Sequence, residues 1–256
     1  MTLNRVRTVQ RTGIRASTPQ VLFLLNGEQR DADFREAIAV SFERCTPVRQ
    51  FPSWRGKRNY SGSYWSSKNS GHVGFESLYE RTALMMFDRE PTITRISSQP
   101  MWIFWPDGSA PRSHAPDFFL RHSSGDGEII DVRPKDRIDE AATRSFEATQ
   151  ELCDQVGFSY RVISDIDATL DQNLRFLSRY RDQEWKLPVP QVEILRRYQP
   201  FELSIRALIA ILAGQDQESK APGWVYSLLW NAQIQTDLRK PLRQDALVRL
   251  PALDLR

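Results

Sequence analysis

The chain reads as a mixed α/β protein: a sheet flanked by helices, then a smaller, mainly helical region. Three observations predict this. A helical pattern over residues 75–87 runs directly into closely spaced strand patterns. A second helical pattern, 139–156, separates those strands from one more at 158–163. Beyond Ser164 the strands give way to short helices.

In chain order, residues 1–30 read as an arm with a short strand at 21–25, and 30–42 as a helix with Phe34, Ala37, Ile38 and Phe42 near one side. The 75–87 helix places Phe75, Tyr79, Ala83 and Met86 on one stripe. Strands are expected at 93–99 and 101–105, before a turn at Pro106-Asp107-Gly108. A hairpin follows, 112–120 with 128–133, around the turn Ser123-Ser124-Gly125-Asp126-Gly127. Gly157 suits the C′ position of the 139–156 helix. A charged helix is expected at 171–181, and the two prolines of Lys186-Leu187-Pro188-Val189-Pro190 mark a boundary. Helices at 191–197, 204–214 and 223–231, then a ribbon of 234–238 and 246–250, suit a winged-helix module. The expected division is an arm and helix at 1–44, a core domain at 45–184 and a winged-helix-like domain at 185–256.

The 256 residues suffice for one large domain or two modest ones. No apolar run reaches membrane-spanning length, and the basic first residues lack the apolar centre of a secretory signal. A cytoplasmic protein is therefore expected. Cys45 and Cys153 stand too far apart for a zinc motif, and His72, His114 and His122 form no metal or triad pattern. The net charge of +3 is too slight to announce a polyanionic partner, so distribution matters more. From Arg44 to Phe75 there is no acid, while Arg49, Arg55, Lys57, Arg58 and Lys68 alternate with Tyr60, Trp65 and other aromatics. Cations neutralise phosphates and rings stack on bases, so Arg55, Lys57, Arg58, Tyr60, Trp65 and Lys68 are candidate DNA contacts. The competing reading is a solvated loop pinned to the core by its aromatics.

The hairpin concentrates the chemistry. Pro116-Asp117 opens its first strand and Asp131-Val132-Arg133 closes its second. Two converging carboxylates repel unless a cation sits between them, and a hard divalent ion held by oxygens is the usual resolution. This is the pattern PD…(D/E)xK of metal-dependent DNA-cleaving enzymes, with Arg133 in the lysine position. Arginine stabilises charge but hardly accepts a proton. Either Lys135 substitutes, if the strand continues past Pro134, or Arg133 acts purely electrostatically, or cleavage is weak or absent. Glu80 on the preceding helix is the third candidate ligand, with Glu76 one turn before it. The bland alternatives are a strand-start Asp117 capping a backbone amide and an Asp131–Arg133 ion pair.

Phe75 to Arg81 (FESLYER), Ile96 to Pro100 (ISSQP), His114 to Arg121 (HAPDFFLR) and Ile129 to Arg137 (IIDVRPKDR) together resemble the TnsA-type endonuclease subunits of heteromeric transposases. Tyr60 to Trp65 (YSGSYW) and Thr236 to Leu242 (TDLRKPL) extend the resemblance over most of the chain. It implies a restriction-endonuclease-like core and a winged-helix domain. It implies Glu80, Asp117 and Asp131 as ligands of Mg²⁺, with Mn²⁺ able to substitute, and the positions of Arg133 and Lys135 as the catalytic cation. The implied activity is nicking the 5′ ends of a transposon on double-stranded DNA at the nucleoid. The implied partners are an integrase-type transposase and an AAA+ ATPase regulator. The alternative is an inactive DNA-binding or assembly subunit.

Overall fold

The computed structural model describes residues 17–49, 60–106, 108–109, 111–198, 201–215 and 220–250. It is a mixed α/β structure in two compact units: residues up to Phe87 with Thr92–Asp165, and Asp88–Pro91 with Ile166 onward. Set beside the expected boundary at 184/185, the division falls at 165/166, so the helix after Ser164 belongs to the second unit. Among the described residues no helix is long and apolar enough to cross a membrane.

The first departure from expectation is near the N-terminus. Residues 20–33 form a hairpin, β1 (Gln20–Leu25) and β2 (Glu28–Asp33), not an arm running into a helix. Asn26 and Gly27 adopt φ of 55° and 80°, the two-residue reversal that Asn-Gly favours. Only 3-10 turns follow, Phe34–Ala39 and Phe42–Arg44, the first capped by Asp33 accepting from the Arg35 N–H. β1 is not peripheral: it also pairs with β3 (Cys45–Thr46) and with β7 (Met101–Phe104).

β4 (Gly62–Ser66) and β5 (Gly71–Phe75) make a separate hairpin. Its turn residue Asn69 pairs its side-chain amide with both backbone polar groups of Ile96, on β6 (Ile93–Ser98). Helix α1 (Leu78–Arg89) leads into β6. The expected 112–120 strand is split into β8 (Ser113–His114), which pairs with β7, and β9 (Phe118–His122), which pairs with β6 and β10 (Gly127–Val132). Pro116 has no N–H for a ladder, so the chain leaves one sheet and enters the other there. Helix α2 (Glu140–Val156), ended by left-handed Gly157, returns the chain to β11 (Ser159–Ile163), parallel to β10.

The second sheet thus runs β11-β10-β9-β6, and β10 is buried along its whole length. One face packs Phe119 and Ile129 against Leu152 and Cys153 of α2 and against Phe23, Phe42 and Phe158. The opposite face sets Phe118 edge-on to Phe87 of α1. A Cβ on Gly127 would lie 2.7 Å from the Phe119 ring and 2.8 Å from that of Phe158. Gly127→Ala is therefore expected to cost about 1–3 kcal/mol by overpacking, read from the denaturant midpoint.

The second unit contains α3 (Ala168–Leu177), α4 (Val189–Arg197), β12 (Phe201–Ser204), α5 (Ile205–Ala213), α6 (Ala221–Trp230) and β13 (Leu247–Leu250). β12 and β13 pair antiparallel. Of the strand expected at 234–238 only one bridge forms, Gln235 with Arg249. Asn173, buried on α3, donates to the Leu238 and Lys240 carbonyls and so fastens that segment to the helix.

Candidate metal-dependent active site

The β9–β10 register ends with Phe118 opposite Ile130, so its next step faces Asp117 with Asp131. Asp117 Oδ2 accepts the Val132 N–H at 2.8 Å, which ties the acid to the end of β10. Asp131 is almost wholly buried, and its Oδ2 accepts from His114 Nε2 at 2.8 Å and from the Tyr160 hydroxyl at 2.5 Å. A carboxylate only accepts, so His114 carries its proton on Nε2. The remaining oxygen of each Asp has no hydrogen-bond partner among the described residues. Both acids line a pocket of about 310 Å³ with Glu80, Arg49, His114 and Arg133.

The electrostatics are unbalanced. Burial pushes the Asp117 carboxyl well above the usual carboxylate range, and the charges of Asp131 and Glu80 push it further. The Val132 N–H and the Arg49 guanidinium offset only part of this. Glu80 is also raised, by burial first, against the hydrogen bonds it accepts. Burial, and then the Asp131 charge, likewise raise the Tyr160 hydroxyl, which therefore stays protonated as donor.

Glu80 has a second occupation. Its Oε1 accepts from the Ser77 hydroxyl at 2.9 Å and its Oε2 from the Glu76 N–H at 2.7 Å, while Ser77 Oγ accepts the Glu80 N–H. This is a variant of the capping box at the start of α1, with Glu80 reaching back to the Glu76 N–H rather than that of Ser77, and the spacing Ser77-x-x-Glu80 is its signal in the sequence. Glutamine also serves in such a box, so Glu80→Gln should hold stability within about 0.5 kcal/mol, whereas Glu80→Ala should lose about 1 kcal/mol in denaturant titration. Glu76 pairs with Arg49 Nη2 at 3.0 Å.

The two candidate cations diverge from expectation. β10 ends at Val132, and Lys135 opens a 3-10 turn, exposed and away from the pocket lining. Arg133 lines the pocket, but its Nε donates to the Arg137 carbonyl at 2.6 Å and its Nη2 lies 3.5 Å from Asp139. It is thus no ion-pair partner for Asp131. Tyr60 and Trp65 are exposed on or beside β4, and Lys68 lies in the β4–β5 turn. Arg55, Lys57 and Arg58 lie outside the described residues.

Among the described residues, no group of three or more His, Cys, Asp or Glu is by itself a ready cage for a metal ion. The donors present nevertheless suit magnesium, which typically takes one or two carboxylates and completes its shell with water and substrate phosphates. Buried Asp131 and half-buried Asp117, each with an unengaged oxygen, are that minimal set. A larger cavity of about 650 Å³ in the second unit mixes Asp237 and Asp245 with Lys240 and Arg249, and has no comparable convergence of like charge. Compared with models of known protein families and with curated protein sequences, the chain matches none.

Proposed function

We propose that the chain is a divalent-metal-dependent DNA endonuclease, the subunit of a heteromeric transposase that nicks the 5′ ends of the element. The observation that carries this reading is the only partly compensated pair Asp117 and Asp131 facing one pocket at the end of adjacent strands. A purely structural role would leave two like charges side by side with incomplete compensation. The order helix, three antiparallel strands, helix, parallel strand around that pocket supports a restriction-endonuclease-like core. The order α4-β12-α5-α6-β13 with its bridged ribbon supports a winged-helix-like second domain. The motif resemblance supplies the transposon, the integrase-type partner and the AAA+ regulator.

Bound magnesium would neutralise charge at the scissile phosphate and lower the pKa of a water. Asp117 and Asp131 would hold it. His114 and Tyr160 fix the Asp131 carboxylate so that one oxygen stays free for that task. The test is nicking of a labelled transposon-end duplex by the full chain with its partner transposase. Cleavage should require Mg²⁺ or Mn²⁺ and vanish in Asp131→Asn; wild-type nicking by that variant would sink the reading. One observation favours a second reading, an assembly subunit without cleavage: Arg133 is bound away from the acids and Lys135 stands outside the pocket. That reading expects no metal-dependent nicking, yet complex formation through residues after Gln191.

A further inference from the structure

The nuclease reading leaves one role without an owner. The motif wants a cation beside the acids to hold the phosphate, and the residue in the lysine position is turned to Arg137 and Asp139. We propose that Arg49, from the segment after β3, is the cation that binds the scissile phosphate in place of the motif lysine. The inference rests on the nuclease reading and deepens it.

Arg49 lines the same pocket as Asp117 and Asp131. Its Nη2 is anchored on Glu76, while its Nε is buried and has no hydrogen-bond partner among the described residues. A guanidinium N–H withdrawn from water without an acceptor is costly, and an anionic ligand oxygen would relieve it. The position is built into the backbone. Val48 N–H donates to the Gln99 carbonyl at 2.9 Å, and Gln99 N–H donates to the Asp117 carbonyl at 2.8 Å. Gln99 makes this link from a left-handed conformation, φ 43°, that non-glycine residues rarely adopt. Two hydrogen bonds thus connect the residue before Arg49 to the backbone of the acid. Arg49 also restrains the carboxyls of both Asp117 and Glu80, so its charge already reaches the reaction volume.

In the metal-free protein Arg49 is the acids' partial counterion. Once a dication neutralises them, the guanidinium N–H groups not held by Glu76 are available to a phosphate oxygen. Arg49 transfers no proton. Water attacks phosphorus and releases its proton to solvent, the P–O bond breaks, and the departing oxygen is protonated by solvent. Arg49 stabilises the charge spread over the non-bridging oxygens.

The experiment uses the full chain with its partner transposase and compares Arg49→Gln, Arg49→Lys, Arg133→Gln and Asp117→Ala. Arg49→Gln should lower kcat for nicking about 100-fold, the scale of a lost oxyanion donor. Arg49→Lys should recover part of that loss, and Arg133→Gln should lose clearly less than Arg49→Gln. A second readout needs no cleavage: duplex binding followed by anisotropy in Ca²⁺ across a salt series. Losing one phosphate contact should reduce the salt slope by about one, which a merely structural role would not do, and magnesium titrated calorimetrically should bind Arg49→Gln at least as tightly as wild type. Wild-type nicking by Arg49→Gln, with Asp117→Ala silent, overturns the proposal and leaves the nuclease reading standing. If no variant, wild type included, nicks DNA, the nuclease reading falls. The salt slope then decides alone whether Arg49 meets a phosphate.

Discussion

Asp117→Asn is expected to abolish metal-dependent nicking while making the metal-free protein more stable. The two effects share one cause. Once ionised, the half-buried carboxylate faces the charges of Asp131 and Glu80, with only the Val132 N–H and Arg49 in its favour. Asparagine keeps an oxygen for Val132 and removes the charge. Relief of about 1 kcal/mol would raise the melting temperature by about 2–4 °C for a chain of this size. The same substitution deletes one of the two acids proposed to hold the metal, and the nicking rate should fall by about 100-fold or more. The checks are a thermal melt in chelator and a nicking time course in Mg²⁺. A variant both less stable and fully active would contradict the account of this pocket.

Acid should stabilise the metal-free protein through the same residue. An unfolded aspartate titrates near about 3.9, and the folded Asp117 titrates higher because of burial and its acidic neighbours. Between those two values the native state holds a proton that the unfolded chain has released. The Asp117 contribution therefore falls as pH climbs from the unfolded value through the folded one, and stays low above it. Each unit of displacement amounts to about 1.4 kcal/mol. Other carboxyls act oppositely: Asp33, lowered by the Thr18 hydroxyl and the Arg35 N–H, contributes stability that is lost on acidification. The informative quantity is accordingly the difference between wild type and Asp117→Asn in denaturant titrations in chelator from pH 4 upward. That difference should widen with pH and then level off. A difference that shrinks with rising pH would contradict the electrostatic reading.

The features legible in the sequence were those encoded locally. The Pro116-Asp117 opening, the Gly-containing turn and the apolar run to Asp131 specify a hairpin whose own register brings the two acids together. Asp139 and Gly157 bracket α2 by capping chemistry alone. Two further local signals lie in the sequence. Asn26-Gly27 announces the β1–β2 reversal, and Ser77-x-x-Glu80 announces a helix start that engages both oxygens of Glu80. Other features lie beyond any local pattern. Tyr160 meets Asp131 because β11 lies parallel beside β10 across an intervening helix. Arg49 meets the acids because Val48 docks on Gln99, a contact between distant segments. His114 precedes Pro116-Asp117 in the chain, but its bond to Asp131 depends on the break at Pro116.

That break makes Ala115–Asp117 a splice between two sheets. Ser113–His114 is registered on β7, and Phe118 onward on β10. If one sheet glides over the other, the strain concentrates in these three residues, so the spacing of the two aspartates works as a gauge of how the sheets are stacked. A ligand bound at β1, β2 or β7 would therefore reach Asp117 and Asp131 through this splice without touching them.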